Sequence, residues 1–190
     1  MRLRHFDYRQ SGAYFVTLCS SDRTRTGRER FGNIHPAAWD SNSLVFVPNE
    51  VGEIVCDCWI EVPGHFSAVM VDEFALLPDH FHAILFIEGT ANHLSHGFVE
   101  PPWLRVRKTR KGTAWVDART DEREGAFRPD PPPTLSTVIG SFKSASSRLS
   151  APVRPAGRLW QRGFYDRVVR DQIELDSYRR YIAANVAHHA

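Results

Sequence analysis

Leu76-Leu77-Pro78-Asp79-His80-Phe81-His82-Ala83-Ile84-Leu85-Phe86-Ile87 is the stretch that decides this fold. It places two imidazoles on either side of one bulky apolar residue. On an extended strand successive side chains alternate between faces, so His80 and His82 share a face while Phe81 enters the opposite layer. A helix would turn the two rings about 200° apart. The β-branched, aromatic and leucine content, with Pro78 before the histidines and Gly89 after the run, predicts the strand. Both faces of that strand are apolar, which predicts a central position in its sheet. Two imidazoles sharing a face can grip a divalent cation, and the plainer alternative is a pair of satisfied or exposed histidines.

Working outward, Ala68-Val69-Met70-Val71 and residues 73–77 read as the preceding strand, and Pro78-Asp79 turns it into the histidine strand as a hairpin. Further back, Val51, Ile54, Val55, Cys58, Trp59 and Val62 recur at helical spacing. Glu50, Glu53, Asp57 and Glu61 take the other face, Asn49 can cap the start, and Pro63-Gly64 predicts the stop. Ala13-Tyr14-Phe15-Val16-Thr17-Leu18-Cys19 is a first strand introduced by Gly12, and Leu44-Val45-Phe46-Val47 suggests a hairpin at an edge.

Beyond the histidine strand, residues 90–133 dissolve into Gly, Pro and charge, which predicts a mobile basic insertion ending in Pro131-Pro132-Pro133. A second helix follows, with Leu135, Val138, Ile139, Phe142 and Leu149 on one side. A turn and a short strand over residues 166–170 lead to Asp171 and Glu174, a capping box for a last helix reaching about Asn185. Strand, helix, strand, strand, helix, strand and a terminal helix make an α+β ferredoxin-like split βαβ sandwich with one helix added. The sheet is antiparallel, its helices cover one face, and the other is left for a site. A single domain over residues 1–190 is the expected organisation.

Composition narrows the class. With 42% hydrophobic and 24% charged residues the chain reads as an ordinary globular protein. No apolar run approaches the ~20 residues that span a bilayer, Met1-Arg2-Leu3-Arg4 opens no signal peptide, and three cysteines argue for a reducing cytoplasm over a disulfide framework. Cys56 and Cys58 fall inside the helical pattern without a second ligand pair, which argues against a zinc site. The net charge of +2 conceals a segregation. Ten acids and no Lys or Arg lie between Phe31 and Leu104, so all 24 basic residues share the rest of the chain with the other 12 of the 22 acids. That split predicts a basic surface facing an anionic partner.

Two histidines holding a cation need a further ligand and a reacting group. Tyr181 and Asn185 stand one turn apart on the last helix. Asn185 can offer a carbonyl oxygen to a hard cation, and Tyr181 a phenol beside it. A phenol of pKa ~10 needs a base, a cation or a polarised electrophile in order to attack. The basic surroundings point to a phosphodiester as that electrophile. The alternative for Tyr181 is a core aromatic next to Ile182.

The joint pattern resembles the REP-associated tyrosine transposases, relatives of the single-tyrosine HUH transposases of small insertion sequences. It is carried by Tyr8-Arg9-Gln10 with Gly12-Ala13-Tyr14-Phe15-Val16-Thr17 after an Arg-rich start, Leu77-Pro78-Asp79-His80-Phe81-His82, and Gly140-Ser141-Phe142-Lys143-Ser144. Trp160-Gln161-Arg162 with Phe164-Tyr165-Asp166, Arg170-Asp171, and Tyr181-Ile182 with Asn185 complete it. The resemblance covers nearly the whole chain except the insertion. It implies a cytoplasmic bacterial protein, on the nucleoid when bound, that cleaves and rejoins single-stranded or hairpin DNA near palindromic repeats through a 5′-phosphotyrosyl intermediate. His80, His82 and Asn185 would hold Mg²⁺ or Mn²⁺, and Tyr181 would be the nucleophile. Val186 follows Asn185 where the family commonly has Pro, and Asp79 stands where relatives often have Asn or Glu. Tyr165 and Tyr178 are competing nucleophiles. The expected DNA contacts are Arg2, Arg4 and Arg9, the cluster Arg105, Arg107, Lys108, Arg110 and Lys111, and Lys143, Arg148 and Arg162. The chain is expected to act as a monomer or homodimer away from membranes. A domesticated binder of palindromic DNA that does not cut is the alternative, and a hydrolase using activated water is a third reading.

Overall fold

The computed structural model describes residues 11–21, 30–38, 40–88, 132–154 and 156–185. In chain order its elements are β1 (Gly12–Cys19), β2 (Gly32–Ala37), β3 (Asp40–Pro48), α1 (Glu50–Ile60), α2 (Val62–His65), β4 (Val69–Leu76) and β5 (His80–Ile87). α3 (Leu135–Leu149), β6 (Tyr165–Val169) and α4 (Gln172–Ala184) complete it. The main sheet runs β4-β5-β1-β6, antiparallel at every pairing, which is the ferredoxin-like split βαβ order with α4 added. The histidine strand β5 is central, as its two apolar faces require. β2 and β3 form a sheet of their own and do not extend an edge of the main one.

Side-chain parity divides the sheet. Tyr14, Val16 and Leu18 of β1 and Phe81, Ala83, Leu85 and Ile87 of β5 join the large core beneath α1 and α3. Trp59 is its keystone, with ring centroids 5.1 Å from both Phe81 and Phe142. The alternate residues Phe15 and Ile84 face the other way and form a second, smaller cluster with Leu175 and Ile182 of α4.

Three elements differ from the sequence reading. Pro63-Gly64 does not simply stop the first helix; α1 ends at Ile60, and both residues belong to the single turn of α2. β4 is one strand with a bulge. Val71 opposes Leu85 and Phe74 opposes Ala83, so Asp72 and Glu73 together stand where one residue would. The bulge lets Val71 and Phe74, three apart, both enter the core. The capping box of α4 is shifted. Asp171 accepts from the Glu174 amide at 2.8 Å, but the Glu174 carboxylate accepts from the amide of Arg170, one residue before the cap.

The charged face of α1 looks outward and its Asn49 cap accepts from the Gly52 amide at 2.9 Å. Cys56 and Cys58 are buried, and burial, then the Asp57 and Glu61 carboxylates, push the Cys58 thiol up to about 12. They pack as small apolar groups. Among the described residues no helix is long and apolar enough to cross a membrane. The predicted basic insertion lies outside the described residues apart from its last two prolines.

Gly52 is fixed by close approach, since a Cβ there would collide with the backbone carbonyl of Phe31. Gly52→Ala is therefore expected to lower stability by about 1–3 kcal/mol, although alanine raises helix propensity by ~1 kcal/mol. Urea denaturation checks this; a stabilised variant would show that α1 has room to shift.

Candidate active site

Along β5 and β1 the residues left out of the large core form rows across the sheet. Ala75, His82, Thr17 and Tyr165 are in register on β4, β5, β1 and β6, and His80 opposes Cys19 one row further on. His80 and His82 share the face, with ring centroids 4.8 Å apart and planes at 79°. The strand therefore presents both imidazoles on one side, as its alternation predicts.

Each imidazole is held through Nδ1. The Asp79 carboxylate accepts from His80 Nδ1 at 2.6 Å, which places the proton on that nitrogen and leaves Nε2 unprotonated in the neutral ring. His82 Nδ1 shares a 2.8 Å hydrogen bond with the Thr17 hydroxyl from the neighbouring strand. His82 is only 5% exposed and stacks on Phe15 with centroids 5.4 Å apart. Its ring is thus fixed in plane and tilt, with Nε2 directed at α4.

α4 supplies the third group. Tyr181 is 45% exposed, and its hydroxyl lies 3.4 Å from His82 Nε2 within the same chain. That separation is long for a hydrogen bond and short enough for one to form on a small movement. The neighbouring Ile182 is the buried residue, so the core position beside Tyr181 is taken by isoleucine. Two features seat the helix. Tyr178 stacks flat on Phe15 with centroids 4.5 Å apart and planes at 11°. Arg179 Nε donates to Asp72 at 2.8 Å, where the β4 bulge projects that carboxylate, and the bond holds the guanidinium above its ordinary pKa.

The competing tyrosines separate on environment. Burial, then the Glu174 carboxylate, push the Tyr178 phenol above its ordinary value against the pull of Arg167 and Arg170. A stacked phenol that resists ionisation is a poor nucleophile. Tyr165 is 61% exposed at the edge of the sheet, two strands from His82 in the same row. Only Tyr181 meets a histidine nitrogen among the three.

Asn185 closes α4 as its C-cap, one turn beyond Tyr181. It is 3% exposed, and its Nδ2 has no hydrogen-bond partner. An orphaned buried amide is costly. By donor type, imidazole nitrogens and an amide oxygen are groups that divalent ions accept, while no three His, Cys, Asp or Glu among the described residues form a group that could hold a metal.

Of the expected DNA contacts, Lys143, Arg148 and Arg162 fall among the described residues. Lys143 sits half-buried on α3, on the far side of the sheet, and its ammonium donates to the carbonyls of Gln161 and Gly163, the latter at 2.8 Å. Arg148 is exposed at the end of α3 and Arg162 in the loop before β6, beside Gly163 with its φ of 71°. Arg2, Arg4, Arg9, Arg105, Arg107, Lys108, Arg110 and Lys111 lie outside the described residues. Sequence reasoning had not assigned roles to Thr17, Phe15 or the Asp72–Arg179 pair. Alternation puts Phe15 and Thr17 on one face, but only the register brings them to His82.

No family model matches the chain. An uncharacterized protein of Haemophilus influenzae is 27% identical over 197 residues, spanning 97% of this chain and 86% of the other. Among solved structures, that of a REP-associated tyrosine transposase bound to a REP hairpin superimposes with a TM-score of 0.55 at 13% identity. The match covers 100% of this chain and 75% of the other. At that identity the likeness is one of fold, and it agrees with the α+β architecture and antiparallel sheet described above.

A double-mutant cycle over Asp72→Asn and Arg179→Met is expected to give a coupling of about 1 kcal/mol, with faster amide exchange along α4 in either single variant. A coupling of zero with unchanged exchange would mean that the pair does not hold the tyrosine helix.

Proposed function

We propose that the chain is a metal-dependent single-stranded DNA endonuclease and strand transferase that acts beside palindromic hairpins through Tyr181. The observation that carries this reading is the half-exposed Tyr181 hydroxyl standing 3.4 Å from the buried, oriented His82. The fold likeness to a protein solved with a REP hairpin supports the choice of DNA as partner.

In the proposed step the phenol oxygen attacks a backbone phosphorus. A tyrosine–phosphate ester forms, the bond from phosphorus to the 3′ oxygen breaks, and the leaving 3′ oxygen takes up a proton as the phenol loses its own. The reverse attack by a 3′-hydroxyl rejoins a strand without outside energy. His80, His82 and Asn185 would hold Mg²⁺ or Mn²⁺, which supplies neutralisation of a non-bridging phosphate oxygen and orientation of the phosphate. The work of this chain's residues is positional. Asp79 and Thr17 fix the ring nitrogens, Phe15 sets the tilt of His82, and the Arg179 latch carries the phenol to the site. His82 Nε2 has one lone pair, so accepting from the Tyr181 hydroxyl and ligating a cation are exclusive, and loading the site would release the phenol toward the phosphate.

The test is a 3′-labelled hairpin oligonucleotide with single-stranded flanks, incubated with Mn²⁺ or Mg²⁺ and resolved under denaturing conditions. A covalent protein–DNA band is expected, lost with chelator, retained by Tyr178→Phe, and reduced by about 10³-fold or more in Tyr181→Phe. Tight hairpin binding with no adduct under any metal would instead identify a binder that does not cut. A free 5′-phosphate product surviving Tyr181→Phe would identify hydrolysis by water.

A further inference from the structure

Tyr165 is the member of the His82 row that the cleavage step leaves unused. Thr17 pairs with His82 on one side and with Tyr165 on the other, so the three residues cross the sheet on one line. Two strand spacings separate Tyr165 from His82, ~10 Å across the sheet. Asp166, the next residue, is buried and opposes Val16 of the large core, so alternation puts Tyr165 on the histidine face. The residue between ring and imidazole is Thr17, a short side chain whose hydroxyl is bound to His82 Nδ1. One row along, Phe15 and Ile84 are buried with Leu175 and Ile182 of α4, whereas the Tyr165 ring is 61% exposed.

The ring is carried on an anchored backbone. Trp160 bridges to Ser20, and the Gln161 amide donates to the Cys19 carbonyl at 2.9 Å. Lys143 donates to the carbonyls of Gln161 and Gly163, and Phe164 packs against the large core. Those ties fix where β6 begins, and with it the place of an aromatic face beside the site. Arg167, also exposed, opposes Phe15 and so shares the face with Tyr165, ~7 Å further along the strand. A ring followed by a guanidinium on one face suits a base and the backbone of a single nucleic-acid strand.

We propose that Tyr165 is a base-stacking residue, whose ring takes the face of an unpaired base close to the phosphate that Tyr181 attacks. The inference rests on the DNA reading above and adds to it a contact that selects single-stranded DNA. A base stacked inside a duplex offers no face to a side chain, and an unpaired one does. At the ~3.4 Å rise of a stacked strand, the span from His82 to Tyr165 puts that base within about three nucleotides of the attacked phosphate. Every base has a π-face, so the contact distinguishes unpaired from paired and not one base from another.

Binding is measured without divalent metal, so that cleavage plays no part, on a hairpin oligonucleotide with a single-stranded flank and on versions lacking the base of one flank nucleotide at a time. Tyr165→Ala is expected to weaken binding about tenfold and Tyr165→Phe to leave it within about twofold. The slope of log affinity against log salt should be unchanged in both, because no phosphate contact is lost. At one flank position, removing the base should weaken wild-type binding by the same factor and leave Tyr165→Ala unaffected. Iodouracil at that position should photo-crosslink to Tyr165 in the wild type, which keeps the test open should Tyr165→Ala fail to fold. Wild type and Tyr165→Ala responding alike to base removal at every position, or crosslinks that all map elsewhere, would overturn the proposal. So would Tyr165→Phe binding as weakly as Tyr165→Ala, since the hydroxyl and not the ring would then make the contact. The metal-dependent adduct is scored separately. Its absence from the wild type with the stacking results intact would remove the cleavage reading and leave the base contact, and an intact adduct with no response at Tyr165 would leave cleavage without it.

Discussion

The two-residue period of β5 is the constraint on which the rest of this molecule depends. Odd-numbered residues from Phe81 to Ile87 enter the large core, and His80 and His82 are thereby committed to the opposite face. A slip of one residue would bury both imidazoles against Trp59 and expose Phe81, so the large core itself fixes the register that makes a site. β1 repeats the division with Tyr14, Val16 and Leu18 inward and Phe15 and Thr17 outward. Pairing the two strands then brings a hydroxyl and an aromatic ring to His82 without any loop being recruited.

Among the described residues the second face carries the smaller of the two cores. Its described buried members are Phe15, Ile84, Leu175 and Ile182. Such a cluster secures a helix but does not engulf it, so Tyr181 stays half-exposed beside a histidine that is almost fully buried. The Arg179–Asp72 bond compensates at the other end of the contact. It draws on a bulge in β4 that the large core enforces through Val71 and Phe74. Packing on one side of the sheet therefore places the anchor for the tyrosine helix on the other.

Much of this was legible in the residues. Hydropathy periods gave the order of the core elements, and the apolar faces of β5 gave its central place. Asn49 and Asp171 mark their caps through their side-chain chemistry alone. The histidine pair and the Tyr181–Asn185 spacing follow from strand and helix geometry. What stayed hidden depends on contacts between distant segments. Thr17 and His82 are 65 positions apart, and Asp72 and Arg179 are 107 apart. Local pattern carries no register, so neither partner could be chosen. The bulge was invisible for the same reason, since Asp72-Glu73 inside an apolar strand reads as an interruption until its neighbour is known. The two carbonyls that Lys143 reaches, those of Gln161 and Gly163, were likewise hidden, because they lie 18 and 20 positions away.

The central claim is that one chain brings His80, His82 and Tyr181 to a common point able to hold a divalent ion. Titration of the isotope-labelled 21.7 kDa chain with substoichiometric Mn²⁺, followed by NMR, tests it most directly because paramagnetic broadening falls off steeply with distance. The imidazole signals of His80 and His82 and the ring signals of Tyr181 are expected to broaden first and together at protein concentrations where the chain is monomeric. Broadening that spares either histidine, or that reaches Tyr181 only when the chain dimerises, would contradict it.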